Sequence, residues 1–464
     1  MSGISLYNKS FKCAEKILQK KTEVIIWGCG KRFEENYEFI TSVCTIEALY
    51  DENVLAKKKM CSNLNCQEID NIKNCTSMVM ITMADERIKE QVATKLIMEN
   101  LEFVYLDDLI FLKRRQDAIS SNSGKIDYYR EYNDNAKMKA YVGINVPVTI
   151  CNLRCDYCYI SQKGSCIAKN PHMKGVPEYI GRFLSYVKED EAFLIGLCGN
   201  GETLLGDQFI ELCIELLNAG HYLHIVTNGI LTDKIKTLIE RAGINAAHIL
   251  FKMSFHYKEL RDKKLLMKFV ESVQYIDASV ASYTIELVPH DELLDQIEEI
   301  KLFSKKYFGA FPHVTIGRNE MDGRKLLSKL SYEEYYKVWK QFDSSLFEYK
   351  MKMYEQKGCE CNAGRYTINI NLETGKISRC TTIEECVGNA YTSEKLCLNY
   401  EKVKDDCPLG YCYNCHVYGP LGIIASEKGT PTYLEIRDRK KNDGGHWIKE
   451  PMARFLKQRI CDNY

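Results

Sequence analysis

Three cysteines in the run Cys151-Asn-Leu-Arg-Cys155-Asp-Tyr-Cys158 form the group in this chain best suited to chemistry. With 21 cysteines scattered at random over 464 residues, a CxxxCxxC spacing arises about 0.04 times by chance. Three thiolates on one tight loop can hold three irons of a [4Fe–4S] cube and leave the fourth iron open. A catalytic zinc site keeps a position open for substrate in the same way. A zinc knuckle, or three ordinary buried cysteines, is the plainer alternative. Eight further cysteines crowd between residues 359 and 415. In a reducing compartment such crowding points to metal or redox chemistry rather than to disulfides.

The elements around the trio are those of an α/β protein. An extended apolar segment at residues 141–148 leads directly into Cys151, and strand-like runs follow at 193–197, 223–226, 249–253, 284–288 and 313–316. Helical patterns lie between them; Val176, Ile180, Phe183, Leu184 and Val187 mark one face, and Phe209, Leu212, Cys213, Leu216 and Leu217 another. Six strands with intervening helices read as an open, partial (β/α)6 barrel. The loop after the second strand is Gly199-Asn200-Gly201-Glu202-Thr203, and the third ends in Val226-Thr227-Asn228-Gly229. Glycines at a strand's C-terminal end let backbone approach a ligand closely.

The trio, with Tyr157 before its last cysteine, resembles the signature of the radical S-adenosylmethionine (SAM) superfamily, and the glycine loop looks like that family's Gly-Gly-Glu motif. The resemblance covers roughly residues 139–335. It implies that Cys151, Cys155 and Cys158 carry a [4Fe–4S] cluster whose open iron is chelated by SAM. One electron then cleaves SAM to methionine and a 5′-deoxyadenosyl radical, which abstracts hydrogen from a substrate. It also implies cofactor contacts from Tyr157, Gly199, Gly201 and Glu202, the last toward the SAM amino group. Ser254 and Glu286 occupy places where the family commonly contacts the SAM ribose, and Arg318, read as ending the sixth strand, would meet a carboxylate. For these last three an ordinary structural role stands beside the functional one. His256 and His290 are candidates for substrate or proton-transfer work, with solvated loop histidines as the alternative.

Downstream, Cys361-x13-Gly375-x4-Cys380 and Cys407-Pro-Leu-Gly-Tyr-Cys412-Tyr-Asn-Cys415 resemble the opening of a SPASM or twitch domain, which holds auxiliary clusters in many radical SAM enzymes. The middle run of a full SPASM domain is missing, and the shorter twitch form maps onto Cys361, Cys380, Cys412 and Cys415. Cys359, Cys386, Cys397 and Cys407 are left over, and a four-cysteine zinc site would use the same spacing. The resemblance therefore implies one auxiliary [4Fe–4S] cluster.

Near the N-terminus, strand-like runs at 23–27, 46–50, 78–83 and 103–106 alternate with helical patterns. Gly28-Cys29-Gly30 begins like a dinucleotide fingerprint, but Phe33 stands where a third glycine belongs, and Asp51 sits where a ribose-binding acid would be. This part resembles small Rossmann-like modules attached to sugar-modifying and polysaccharide-assembly enzymes. The expected organisation is a Rossmann-like domain at 1–112, a linker and helix at 113–138, a radical SAM core barrel at 139–335, a small Cys-rich α+β domain of the twitch/SPASM type at 336–425 and a polar tail at 426–464.

Lysine plus arginine and aspartate plus glutamate balance at 63 each, so no net field favours nucleic acid or an anionic membrane. The first sixteen residues are polar, and nothing approaches the ~20 apolar residues of a membrane span. A cytoplasmic enzyme is expected, fed by an external donor such as flavodoxin or ferredoxin and acting on a sugar or nucleotide-linked small molecule. The alternatives are a ribosomal peptide maturase, which would act on a peptide, and a metal-binding protein without turnover.

Overall fold

The computed structural model describes residues 3–51, 66–67, 76–122, 128–162, 173–355, 360–383, 385–393, 395–398, 407, 409, 411–424 and 429–460. The chain divides into two compact units, residues 1–121 and 122–464.

In the first unit five parallel strands, β1 (Thr22–Trp27), β2 (Cys44–Tyr50), β3 (Cys66–Gln67), β4 (Met78–Ile81) and β5 (Phe103–Tyr105), pair in the order β3-β2-β1-β4-β5. Both faces of the sheet are covered, which is why β1 and β4 read as continuous apolar runs rather than alternating ones. Val24 and Ile26 pack with Ala14 and Ile17 of the helix Gly3–Gln19, whereas Ile25 and Trp27 pack with Val92 and Leu96 of the helix Glu86–Met98. Asp85 starts that second helix by accepting the Arg87 and Ile88 amides at 2.9 and 3.1 Å. The apolar runs of this region thus form an α/β layer with one further short strand, β3, added at an edge.

The second unit is built on one nine-stranded sheet. Its strands are β6 (Lys137–Val146), β7 (Glu191–Gly199), β8 (Tyr222–Thr227), β9 (Ile249–Ser254), β10 (Ser282–Leu287) and β11 (His313–Val314), all parallel to their neighbours. A separate antiparallel ribbon joins β12 (Arg318–Asn319) to β13 (Lys325–Leu326). The strands β14 (Thr367–Asn371), β15 (Lys376–Ser378) and β16 (Cys386–Asn389) extend the large sheet beyond β6. β14 lies parallel to β6, from Thr367 opposite Tyr141 to Asn371 opposite Asn145, so the cysteine-rich region shares the sheet that carries the cysteine loop. Helices Phe209–Asn218, Thr232–Ala242, Leu266–Ala278 and Ile297–Phe308 separate successive parallel strands. Thr232–Ala242 buries Ile235, Leu238, Ile239 and Ala242, one face of a helical repeat.

Two sequence expectations change here. Arg318 does not end the sixth strand, because β11 stops at Val314 and Arg318 opens the β12–β13 ribbon. Between them Gly317 passes close to the Pro289 carbonyl oxygen, where a Cβ would stand 2.5 Å away. Residues 429–460 are also more than a polar tail. Tyr433, Ile436, Ile448, Met452, Phe455 and Leu456 are buried against Met138, Leu194, Tyr222 and Leu250, near the N-terminal ends of β6–β9. The Tyr222 and Phe455 rings stack with centroids 3.7 Å apart.

Candidate active site

The cysteine loop leaves the C-terminal end of β6 and runs into the short helix Tyr159–Gln162. Leu153 and Cys155 are buried, while Cys151 and Cys158 are half-buried. The Cys158 amide donates to the Cys155 carbonyl at 3.0 Å, and the Arg154 amide to Glu259 Oε1 at 3.1 Å, which fixes the turn between the last two cysteines. Burial above all, with Glu259 and the neighbouring thiols, pushes Cys155 up to about 12. Its thiol keeps its proton until a metal displaces it. Among the described residues no three His, Cys, Asp or Glu side chains converge on one ion position. A cube spreads its ligands over separate corners, and three thiols on one loop fit that requirement as a donor set.

The glycine loop clamps this turn from the side. A Cβ on Gly199 would meet Val148 Cγ1 at 2.0 Å and one on Gly201 the Ile150 carbonyl at 2.3 Å, so only glycine lets the two loops lie together. The Glu202 amide donates to the same Ile150 carbonyl at 2.9 Å. The Glu202 side chain is buried and accepts from Thr227 Oγ1 at 2.6 Å, the Leu204 amide at 3.2 Å and the Asn228 amide at 2.7 Å. Burial raises its pKa while these donors pull it back. Asn228 in turn donates from Nδ2 to Asn152 Oδ1 at 2.6 Å and approaches Cys151 Sγ at 3.9 Å. The ends of β6, β7 and β8 are thereby joined into one hydrogen-bonded unit around the cysteines.

Tyr157 shares a 2.8 Å hydrogen bond with His256 Nδ1, and its ring stacks on His290 at 4.2 Å. Burial pushes His256 down to about 4, so the imidazole is neutral near pH 7. A cavity of about 400 Å³ opens beside them, lined by Asp156, Tyr157, His290, Asp291, Asn319 and Ser328 among others. Ser254 ends β9 and is half-buried. Glu286 on β10 is already ion-paired, with Lys252 Nζ at 2.9 Å and with Arg437 of the C-terminal segment. Arg318 lies 3.3 Å from Glu320 and faces the rings of Tyr159 and Tyr413.

The second cysteine set surrounds a small space of about 20 Å³ lined by Cys361, Cys380, Cys407, Cys412, Ile383 and Tyr418, among others. Cys415 starts the helix Cys415–Tyr418, with its amide 3.3 Å from the Cys412 carbonyl. Burial first, and then the thiols of Cys415, Cys361 and Cys380, push Cys412 well above the ordinary thiol range. Cys361, Cys380, Cys407 and Cys412 thus line one space, and Cys415 follows Cys412 by three residues. Cys386 and Cys397 are exposed; Cys359 lies outside the described residues. In the N-terminal unit, Asp51 Oδ2 accepts the Cys29 amide at 2.6 Å, and Gly28 adopts φ +103°.

Sequence reasoning missed Lys252 and Arg437, the partners of Glu286. Lys252 precedes Ser254 by two and shares its face of β9, a signal available from strand alternation. Arg437 had no such signal, because it reaches Glu286 from the irregular C-terminal segment.

Residues 145–304 match the family described as the Radical SAM superfamily. This part of the chain is a radical SAM domain. The match begins in β6 and contains the cysteine loop, the glycine loop and the Thr227–Asn228 strand end. Comparison with curated proteins returns no match. Among solved structures, the chain is similar to Streptococcus suis SuiB bound to S-adenosylmethionine, at 18% identity over 70% of this chain and 77% of that one, with a TM-score of 0.40. The same protein bound to its precursor peptide SuiA aligns at 15% identity over 81% and 77% of the two chains, with a TM-score of 0.39. Native anSMEcpe with bound AdoMet aligns at 15% identity over 55% and 79%, with a TM-score of 0.40. Among the described residues no helix is long and apolar enough to cross a membrane.

Proposed function

We propose that this radical SAM protein reductively cleaves S-adenosylmethionine at a cluster held by Cys151, Cys155 and Cys158 and abstracts hydrogen from a small-molecule substrate. The observation that carries the reading is the network joining the cysteine loop to the next two strand ends, from Ile150 and Asn152 through Glu202 to Asn228. A reduced cluster held there would supply one electron to S-adenosylmethionine, whose C–S bond would break to give methionine and a 5′-deoxyadenosyl radical. The protein's part is to hold three thiols in one turn, keep backbone amides and carbonyls of the Gly199–Glu202 loop against it, and present Tyr157 at the mouth of the adjoining cavity. Cys361, Cys380, Cys412 and Cys415 carry an auxiliary [4Fe–4S] cluster that relays electrons, as in a twitch domain, and an external flavodoxin or ferredoxin supplies the first electron in the cytoplasm.

The N-terminal unit is a Rossmann-like module. Its strand order and the glycine turn after β1 support this. No catalytic dyad accompanies the glycine turn, and Phe33 replaces the third glycine, which favours docking a sugar or nucleotide-linked substrate over hydride transfer. The test is anaerobic reconstitution followed by dithionite and SAM. Wild-type protein should release 5′-deoxyadenosine, slowly and without added substrate, and Cys151→Ala/Cys155→Ala/Cys158→Ala protein should release none. A fully loaded wild type that never yields deoxyadenosine would refute the reading.

A further inference from the structure

We propose that Asn414 is a positioning residue of the second cysteine set, and that its side-chain amide raises the reduction potential of the auxiliary cluster by donating an N–H to Cys380. The proposal rests on the auxiliary-cluster reading and adds how the potential of that site is set.

Asn414 stands at the start of the helix Cys415–Tyr418, where its carbonyl accepts the Val417 and Tyr418 amides, each at 2.9 Å. An asparagine in that position ordinarily turns its side chain back onto the first amides of its own helix. Here it makes no such bond. It reaches instead to the turn after β15, where Nδ2 donates to the Thr381 hydroxyl and lies 3.9 Å from Cys380 Sγ, within hydrogen-bonding reach of a sulfur. The Thr382 amide donates to the same sulfur at 3.4 Å. Asn414, Thr382 and Cys380 all line the small space that Cys361, Cys407 and Cys412 also face.

A primary amide carries two N–H groups, so one can serve Thr381 while the other serves Cys380. A cysteine bound to iron is a thiolate and only accepts, which makes Nδ2 rather than Oδ1 the atom that suits it. Hydrogen bonds to the sulfurs are among the factors that set a cluster's potential. The reduced cluster carries one more negative charge, so a donor stabilises it more than the oxidised one and moves the potential up. Groups beside metal ligands tune a site in this way without touching the metal. Thr381 is exposed, and its hydroxyl fixes the plane in which the Asn414 amide meets Cys380.

Reconstituted full-length protein is titrated potentiometrically and followed by electron paramagnetic resonance, with and without SAM. SAM alters the signal of the cluster it chelates, so the component indifferent to SAM reports the second site. Asn414→Leu keeps the side chain's size and removes the donor. At the wild-type midpoint its ratio of reduced to oxidised auxiliary cluster should fall at least threefold, about 28 mV at ~59 mV per tenfold for one electron. Thr381→Val should shift the midpoint the same way, because the amide loses its guide, whereas Thr381→Ser should keep the wild-type value. An unchanged or raised midpoint in Asn414→Leu with its iron intact would overturn the proposal. If that variant loses iron from the second site, Thr381→Val decides: a lowered midpoint supports the proposal and a wild-type midpoint overturns it. Metal analysis comes before the titration. Zinc or no metal at the second site overturns the auxiliary-cluster reading and the proposal with it, while iron there with an unmoved midpoint overturns the proposal alone.

Discussion

Glu202 accepts three hydrogen bonds in a space closed to solvent, and that number decides what its loss should do. Truncation to alanine strands the Thr227 hydroxyl and the Leu204 and Asn228 amides, and each buried donor left unpaired costs roughly 1–3 kcal/mol. Glu202→Ala should lose about 3 kcal/mol of stability in urea unfolding and retain less iron after reconstitution, because Asn228 no longer holds Asn152 beside Cys151. Glu202→Gln keeps an acceptor for two of the donors but turns an amide N–H toward the third, so it should lose about half as much. Equal stability of Glu202→Ala and wild type would show that the carboxylate is not structural and belongs to the ligand alone. At this scale the motif was legible in sequence as a glycine-rich strand ending. The partners of the glutamate were not, since Thr227 and Asn228 come from another strand and only pairing in three dimensions brings them within reach.

The short elements of the cysteine-rich region do two jobs at once. β14 extends the main sheet through β6, and the turn after β15 and the helix Cys415–Tyr418 bring Cys380, Cys412 and Cys415 toward Cys361. If both sites hold cubes, reconstituted protein carries about eight irons and eight sulfides. Cys412→Ala/Cys415→Ala should then retain about half the iron and still release deoxyadenosine, measured side by side with circular dichroism to confirm the fold. Zinc in place of the second set of iron would refute the auxiliary cluster while leaving the first intact. The parallel strands were readable because each is a short apolar run bounded by a loop. The β14–β6 pairing was not, because it joins residues far apart in sequence and leaves no periodic mark. Arg318 falls in the β12–β13 ribbon instead, because β11 is only two residues long and apolar patterning does not mark so short a strand's end. Residues 429–460 carry Ile448, Met452, Phe455 and Leu456 at helical spacing, a signal too short, amid charged residues, to stand out from a polar tail.

For the molecule as a whole, charge balance hides a set of groups that resist protonation. The formal charge is zero with histidines neutral, and several of the nine histidines are held neutral by burial rather than by a partner acid. His248 is the clearest, sandwiched between Tyr222 at 3.9 Å and Tyr132 at 4.7 Å, with neither ring nitrogen hydrogen-bonded. Burial pushes it from 6.5 down to about 4. A depressed histidine binds its proton more weakly folded than unfolded, so its contribution is complete above about pH 6.5 and drains away as the pH falls toward 4. At pH 5.5 the loss from His248 alone is about 1 kcal/mol. His221, pushed to about 3, and His256, to about 4, act with the same sign. Wild-type protein should therefore lose stability between about pH 7.5 and pH 5.5, read as a falling urea midpoint. His248→Phe keeps an aromatic ring in the stack and cannot titrate, so its midpoint should fall less, by about 1 kcal/mol across that interval. Parallel pH profiles for the two proteins would mean that His248 titrates normally in the fold and that the Tyr132–Tyr222 stack admits a charged ring.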